Sequence, residues 1–168
     1  MKNDLILIGM PGSGKSTVGV ILAKLLGYSF VDSDLLIQKS EGRLLKDIIA
    51  SEGIGGFIEI ENRINSCIQP GRAVVATGGS AVYGKEAMQH LKSIGTVVYL
   101  SLGYEELTRR LGNIRNRGVI IREGQTLREL YDERTPLYEK YADIIINEDD
   151  CDIETTVEKV IAAYRSHL

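Results

Sequence analysis

The chain of 168 residues has an ordinary globular composition, with 43% hydrophobic and 26% charged residues, and is expected to form one domain, 1–168, with a sizeable core. Its formal net charge of −3 argues against non-specific binding of nucleic acid, which needs a basic surface. No apolar run is long enough to span a bilayer and MKNDLILIGM is too interrupted for a signal peptide, so no membrane partner is expected.

Apolar runs that end in glycine or a polar residue alternate with segments of helical periodicity along the whole chain. The predicted strands are DLILIG (4–9), YSFVD (28–32), RAVVAT (72–77), GTVVYLS (95–101) and ADIIIN (142–147). The predicted helices run from Ser16 to Gly27, in short pieces on either side of Gly42, and over about 57–69, 85–94, 104–111, 126–141 and the stripe from Ile153 to Tyr164. Pro136 is expected to break or kink its helix near Thr135.

This alternation predicts an α/β fold with three layers, in which a five-stranded parallel sheet is flanked by helices. Ligands of such sheets bind at the carboxyl ends of the strands. Chemistry is therefore expected just after residues 9, 32, 77 and 101. The polar and basic segment 112–125, which contains three glycines, is expected to be a mobile loop.

The strongest motif is GMPGSGKST at 9–17, which matches G-x-x-x-x-G-K-[ST] between a predicted strand and an amphipathic helix. Its glycines let successive N–H groups point inward as an anion nest, and the following helix adds its positive dipole end. Lys15 supplies charge for the outer phosphates, and the Ser16 hydroxyl is a ligand for Mg²⁺. The residues predicted to hold the nucleotide are Gly12, Ser13, Gly14, Lys15, Ser16 and Thr17. The motif alone leaves phosphotransferases, GTPase switches and motor ATPases open.

Two aspartates follow the second predicted strand. Asp32 closes that strand and is expected to touch the magnesium ion or hold one of its waters, because RAVVAT offers no acidic residue for that task. Asp34 starts the next helix, where its carboxylate can accept hydrogen bonds from a substrate hydroxyl and take its proton. The alternative for Asp34 is that it only caps its helix.

The stretches GMPGSGKSTVG, FVDSD, ATGG, RLGNIRNRG and ERTPLY stand in the order and spacing of shikimate kinases, and the chain from residue 4 to about 165 resembles that family. The resemblance implies a P-loop kinase fold like that of nucleoside monophosphate kinases, with a substrate-binding segment at about 33–61 and a lid at about 112–125. It also implies ATP-dependent phosphorylation of a ring hydroxyl of shikimate, a small cyclic acid, to shikimate 3-phosphate. A monomeric, cytoplasmic enzyme of aromatic amino acid biosynthesis would follow.

The resemblance also assigns site residues. Asp34 would hold the substrate hydroxyls and act in catalysis together with Lys15 and Arg117. Gly78 and Gly79 would bring backbone N–H groups to the substrate, and Arg134 would bind its carboxylate. Arg110 would lie against the adenine. The residues themselves leave alternatives open. Arg115 and Arg122 compete with Arg117 for the lid role, Arg117 is otherwise a solvated surface charge, and Arg134 is otherwise an ordinary ion-pair residue.

The resemblance fails in the segment GIGGFIEIE at 53–61, where the family pattern is roughly G-E-x-x-F-R-x-x-E. Ile54 replaces the glutamate and Ile58 replaces the arginine, so Glu61 is expected to lack its partner. A charge-assisted hydrogen bond of this kind contributes about 1.5–3 kcal/mol. In addition, Ser80 replaces a glycine, and RGVI at 117–120 replaces R-P-L-L in the lid.

Three hypotheses accommodate these departures. The chain is a shikimate kinase in which another cation, from Arg43, Arg63 or Arg115, replaces the missing arginine. Alternatively, it is a related kinase that acts on a different small hydroxylated metabolite. In the third hypothesis it is a nucleotide-binding module without acceptor activity, against which the intact Lys15 and Asp34 argue.

Overall fold

The computed structural model describes residues 3–112 and 119–168, which contain five strands and seven α-helices. The strands are β1 (Asp4–Ile8), β2 (Ser29–Asp32), β3 (Ala73–Ala76), β4 (Gly95–Ser101) and β5 (Ile144–Asn147). The helices are α1 (Lys15–Leu26), α2 (Ser33–Glu41), α3 (Leu45–Asn65), α4 (Lys85–Ile94), α5 (Tyr104–Leu111), α6 (Leu127–Tyr141) and α7 (Ile153–His167), and a 3₁₀ turn covers Ala81–Tyr83. No helix in the described ranges combines the length and the apolar character that a membrane crossing requires.

The five strands form one parallel sheet in the order β2-β3-β1-β4-β5. The predicted α/β fold with a five-stranded parallel sheet is confirmed. The chain leaves β1 towards β2 on one side and leaves β4 towards β5 on the other. The crevice above the carboxyl ends of β1 and β4 is therefore the topological switch point at which such sheets bind ligands.

Strand β1 is buried along its whole length because helices cover both faces of the sheet. Leu5 and Leu7 pack with residues of α1 and α7 on one face. Ile6 and Ile8 pack with residues of α4, α5 and α6 on the other. A separate cluster around Phe57 joins α2 to α3 and fixes these two helices beside the switch point.

The predicted break at Pro136 is wrong, because α6 continues from Leu127 to Tyr141 through the proline. Leu130, Arg134 and Tyr138 recur every four residues and are all buried. The packing of this face outweighs the one backbone hydrogen bond that proline removes.

Helix α3 joins two helical pieces that the sequence predicted separately, one after Gly42 and one over about 57–69, into a single helix from Leu45 to Asn65. Gly53 divides it with a left-handed φ of 72°, a conformation that glycine adopts without strain. The α2 boundary was predicted correctly, since Gly42 ends that helix at a φ of 66°.

Candidate active site

The loop between β1 and α1 forms the P-loop end of the site, defined here as residues 9–17. Gly9, Gly12 and Gly14 have φ values of 152°, 85° and 81°, a region that residues with a Cβ rarely adopt. A Cβ on Gly9 would also lie 2.7 Å from the Leu100 carbonyl oxygen. No side chain caps α1, so its first N–H groups remain available to an anion.

Lys15 lies beneath this loop with only 7% of its surface exposed. Its Nζ donates to the carbonyl oxygens of Gly9 at 2.7 Å and Met10 at 2.9 Å, and to Ser13 Oγ at 3.4 Å. Burial lowers the pKa of Lys15 to about 8, and the carboxylate of Asp34 opposes that shift. A bound phosphate would favour the charged form further, because a nearby anion raises the pKa of an ammonium group.

Ser16 and Asp32 meet at the mouth of the loop, where Ser16 Oγ donates to Asp32 Oδ2 at 3.0 Å. Asp32 Oδ1 accepts from the N–H groups of Asp34 at 2.9 Å and Leu35 at 3.3 Å. The cap of α2 is therefore Asp32, and the alternative that Asp34 serves as that cap is wrong.

The donor set at this position suits Mg²⁺. Hydroxyl and carboxylate oxygens are hard ligands, and magnesium is typically held by one or two of them together with phosphate oxygens and water. The described residues contain no group of three or more His, Cys, Asp or Glu side chains that could hold a metal.

A cleft of about 320 Å³ runs from the P-loop end to α3. The acceptor end is defined here as the opposite part of this cleft, formed by Asp34, Glu61, Gly78, Gly79, Ser80 and Arg134. The structure thus brings together residues that the sequence analysis took from four separate stretches. The other lining residues are Pro11, Gly12, Gly14, Lys15, Ser16, Thr17, Leu45, Ile49, Phe57, Thr77 and Ile120.

Asp34 points into the cleft from the first turn of α2. Burial raises the pKa of its carboxyl, the neighbouring Asp32 adds to that effect, and Lys15 counteracts it. With the capping role taken by Asp32, the Asp34 carboxylate is available to a ligand. A raised pKa makes it a stronger base than a solvated aspartate.

Arg134 is the largest fully buried side chain, with 1% of its surface exposed. Its Nη2 donates to the Ile120 carbonyl at 3.1 Å and its Nε to Tyr83 Oη at 3.3 Å. It forms no ion pair with an acidic residue of ranges 3–112 and 119–168, which contradicts the alternative of an ordinary ion-pair residue. Burying a guanidinium without a directly paired counter-charge is costly, and an anionic ligand would relieve that cost.

The glycine pair after β3 lies between these charged groups. A Cβ on Gly78 would lie 2.7 Å from Glu61 Oε2 and 2.9 Å from Asp34 Oδ1, and a Cβ on Gly79 would lie 3.1 Å from Arg134 Nη1. The Gly78 N–H donates to Ser33 Oγ at 3.3 Å. Gly78 and Gly79 leave space for three functional side chains, and the expectation that their N–H groups reach the substrate stays a prediction.

Two residues that the sequence analysis treated separately form one contact. Ser80 Oγ donates to Glu61 Oε1 at 2.6 Å, and both residues are buried. Glu61 thus has a hydroxyl donor in place of the arginine partner that this sequence lacks, a contact that the sequence analysis did not predict. Ile58 instead lines a small cavity with Ile54, Tyr83, Ile120 and Leu130, which Arg122, Gln125 and Arg134 also border.

The cations proposed as replacements for the missing arginine do not line the cleft in the described residues. Arg43 donates to Ser51 at 2.6 Å and pairs with Glu52 at 2.9 Å on the surface. Arg63 pairs with Glu41 at 2.7 Å, with 60% of its side chain exposed. Arg115 and Arg117, with the centre of the predicted lid, lie in 113–118, outside the described residues. Arg122 pairs with Glu133 at 3.1 Å.

A second cavity, called here the base pocket, lies beside the P-loop and has a volume of about 470 Å³. Ser13 and Gly14 line it together with Arg110, which donates to Glu106 Oε1 at 2.9 Å and to the Glu148 carbonyl at 3.3 Å. Burial raises the pKa of Glu148 to about 7, and Arg110 opposes that shift.

Glu148 and Tyr138 were missed by the sequence analysis. Glu148 directly follows β5, so the rule that ligands bind at carboxyl ends of strands could have singled it out. Tyr138 lies one turn after Arg134 on the buried face of α6 and donates to the Gly79 carbonyl at 2.6 Å. Its spacing of four residues from Arg134, which places both side chains on one face of the helix, could have identified Tyr138 from the sequence.

Comparison with known proteins gives a consistent result. A family model described as shikimate kinase matches residues 11–165. Shikimate kinases from Synechococcus elongatus and Thermodesulfovibrio yellowstonii are each 38% identical to this chain, and each match covers 98% of it. The matches cover 88% of the Synechococcus elongatus protein and 95% of the Thermodesulfovibrio yellowstonii protein. The structure of shikimate kinase from Acinetobacter baumannii in complex with shikimate superposes with a TM-score of 0.87 at 32% identity, covering 98% of this chain and 94% of that one.

Proposed function

Because the chain belongs to the shikimate kinase family, we propose that its cleft transfers the terminal phosphoryl group of ATP to a hydroxyl of shikimate, giving shikimate 3-phosphate and ADP. The observation that carries the assignment is Arg134, a buried guanidinium without an acidic partner in the described chain. It lies in the same cleft as the P-loop and Asp34. An acceptor that combines a carboxylate with hydroxyl groups would satisfy both Arg134 and Asp34.

At the P-loop end, the nucleotide phosphates would be held by backbone N–H groups and by the Lys15 ammonium. The nucleotide residues are Gly12, Ser13, Gly14, Lys15, Ser16 and Thr17, with Arg110 against the adenine in the base pocket. Ser16 and Asp32 would hold Mg²⁺. When bound, the ion would neutralise charge on the phosphate oxygens.

At the acceptor end, Arg134 would contact the shikimate carboxylate and Asp34 would accept a hydrogen bond from the reacting hydroxyl. The hydroxyl oxygen then forms a bond to the terminal phosphorus, the bond from that phosphorus to the ADP oxygen breaks, and the hydroxyl proton passes to the Asp34 carboxylate. Alignment and charge supply most of the rate in such transfers. Lys15, which lines the cleft from the P-loop end, would stabilise charge on the transferring group.

The division of the chain follows from these roles. Segment 33–61 would bind the acceptor, since Asp34, Phe57 and Glu61 line the cleft. Segment 112–125 would form the lid with Arg117 as its catalytic residue, and Ile120 of that segment also lines the cleft. Both belong to a single domain, 1–168.

We further propose that the protein acts as a cytoplasmic monomer. Both cysteines are free, with Cys67 exposed and Cys151 half-buried, as is usual in a reducing compartment. Light scattering of the purified protein tests the monomer.

A coupled ADP-release assay over a panel of acceptors tests the function. The panel contains shikimate, other hydroxy acids, sugar acids, homoserine and nucleoside monophosphates. Saturable, magnesium-dependent ADP release with shikimate is the expected result. Turnover with another panel member alone would support the different-metabolite hypothesis, which the relatives do not favour, and ATP binding without any turnover would support the nucleotide-binding module.

A further inference from the structure

Glu61 is the buried acid of the acceptor end whose role the proposed reaction leaves open. It has 1% of its surface exposed and sits on α3 facing the cleft. Ser80 occupies Oε1, whereas Oε2 has no hydrogen-bond partner among the described residues. A buried polar atom without a partner destabilises the protein, so a ligand that supplies a partner would bind more tightly.

The position of Oε2 relates it to the acceptor. Glu61 Oε2 and Asp34 Oδ1 both approach the space above Gly78, since a Cβ there would lie 2.7 Å from the first and 2.9 Å from the second. Arg134 Nη1 borders the neighbouring space above Gly79 at 3.1 Å. An acceptor held by Asp34 and Arg134 would therefore lie beside Glu61 Oε2.

The charges around Glu61 disfavour its ionised form. Desolvation is the main cause that raises its pKa to about 7, the Asp34 carboxylate adds to the shift, and Ser80, Arg134 and Lys15 oppose it. Helix α3 offers no cation one turn before Glu61, because position 58 is isoleucine. Among the described residues, the two cations that line the cleft have other tasks in the proposed reaction, namely the acceptor carboxylate for Arg134 and the phosphates for Lys15.

We propose that Glu61 binds the acceptor as a neutral carboxylic acid, with Ser80 donating to Oε1 and the Oε2 hydroxyl donating to an oxygen of the acceptor. The inference rests on the proposed function, because it assumes an anionic, hydroxylated acceptor in this cleft. A neutral hydrogen-bond donor thereby takes the place of a second cation. Ionisation of Glu61 removes the donor and adds a negative charge to the cleft that holds the anionic acceptor.

The test is the KM for shikimate, measured at saturating ATP between about pH 6 and about pH 8. For the wild type, KM should rise about tenfold over this range, because each unit above the pKa reduces the neutral fraction about tenfold. Glu61→Gln keeps the shape and a donor without the charge, so its KM should match the wild type at the lower pH and stay nearly constant. A Glu61→Gln variant that retains the tenfold rise would overturn the proposal.

Ser80→Ala and Glu148→Gln refine this test. Donation from Ser80 lowers the pKa of Glu61, so Ser80→Ala should move the rise in KM to higher pH. Glu148 is a second buried acid whose pKa is raised to about 7, but it lines the base pocket and not the cleft. Glu148→Gln is therefore the matched control. This control should keep the wild-type pH dependence of KM for shikimate, and loss of that dependence would contradict the assignment to Glu61.

A measurement on the wild type covers the possibility that Glu61→Gln does not fold. Calorimetric titration with shikimate at about pH 8, in two buffers of different ionisation enthalpy, should show uptake of close to one proton on binding. Binding without proton uptake would overturn the proposal. Absence of any turnover of shikimate by the wild type would instead refute the proposed function, so the two failures are distinguishable.

Discussion

The two ends of the cleft differ in how their buried charges are satisfied. At the P-loop end, Lys15 donates to two carbonyl oxygens within 2.9 Å, and in the base pocket Arg110 lies 3.8 Å from the buried carboxylate of Glu148. At the acceptor end, Arg134 and Glu61 form no ion pair within the described residues and act on each other only at longer range. The Lys15 ammonium is thus satisfied by the protein alone. In the described part of the chain, the acceptor end contains a guanidinium without an ion pair and a carboxyl oxygen, Glu61 Oε2, without a hydrogen-bond partner, and in the base pocket Glu148 Oε2 likewise has none.

This difference matches what each end recognises. Phosphates are bound largely by backbone N–H groups and one lysine, an arrangement common to many P-loop proteins. A particular small acid requires side chains at particular places, and groups left unpaired without it give the strongest discrimination. Substitutions at the two ends should therefore change different kinetic constants.

The largest effect is expected for Asp34→Asn. The amide cannot take the hydroxyl proton, so kcat should fall about 10²–10⁴-fold. The KM for ATP should change little, because Asp34 lies at the acceptor end and not in the base pocket. Steady-state kinetics with direct ATP-binding measurements check this, and an equal loss of ATP binding would assign Asp34 to structure.

Lys15→Met should act from the opposite end. Loss of the ammonium removes charge stabilisation from the transferring phosphoryl group, so kcat should fall about 10²–10³-fold. The KM for ATP should also rise, whereas binding of shikimate without nucleotide should be nearly unchanged. Calorimetric binding of each substrate separates these effects, and a selective loss of shikimate binding would contradict the division of the cleft.

The acceptor end and the base pocket each contain a buried glutamate with a pKa of about 7, Glu61 and Glu148 respectively. A carboxyl whose pKa is higher in the folded state than in the unfolded state binds its proton more tightly when folded. Its contribution to stability is therefore lost as pH rises from the ordinary value of 4.5 to about 7. The free energy of unfolding should decline over this range.

Glutamine at either position should remove part of that decline. At about pH 8, Glu61→Gln and Glu148→Gln should each raise the free energy of unfolding by about 1–3 kcal/mol, and at about pH 4.5 by nearly nothing. The two gains should add approximately, because the residues lie at opposite ends of the site. Urea denaturation at several pH values checks this, and gains that do not depend on pH would exclude ionisation as the cause.

The P-loop end was predictable from sequence because its function is carried by a contiguous stretch. The glycines of 9–17 fix the backbone, and the backbone forms the site. The fold was equally accessible, since alternating apolar runs and helical stripes indicate a parallel sheet with covered faces. The break expected at Pro136 failed because a local rule took no account of the packing of α6.

The acceptor end was only partly predictable because its residues come from α2, α3, the turn after β3, and α6. Sequence analysis treated Ile58 and Ser80 as unrelated departures. The structure shows that Ser80 donates to Glu61, a contact across 19 residues of sequence that no periodicity signals. The absence of an acidic partner for Arg134 also follows only from three-dimensional packing.

The most direct test of this account compares shikimate with its carboxamide, which keeps the ring hydroxyls but lacks the negative charge, in the wild type and in Arg134→Met. The quantity measured is the ratio of kcat/KM for the two acceptors. If Arg134 binds the acceptor carboxylate, the wild type should favour shikimate by about 10- to 100-fold, from a charge-assisted contact of about 1.5–3 kcal/mol, and Arg134→Met should reduce that ratio to near one. An unchanged ratio in a folded Arg134→Met variant would show that the carboxylate is recognised elsewhere and would contradict the account.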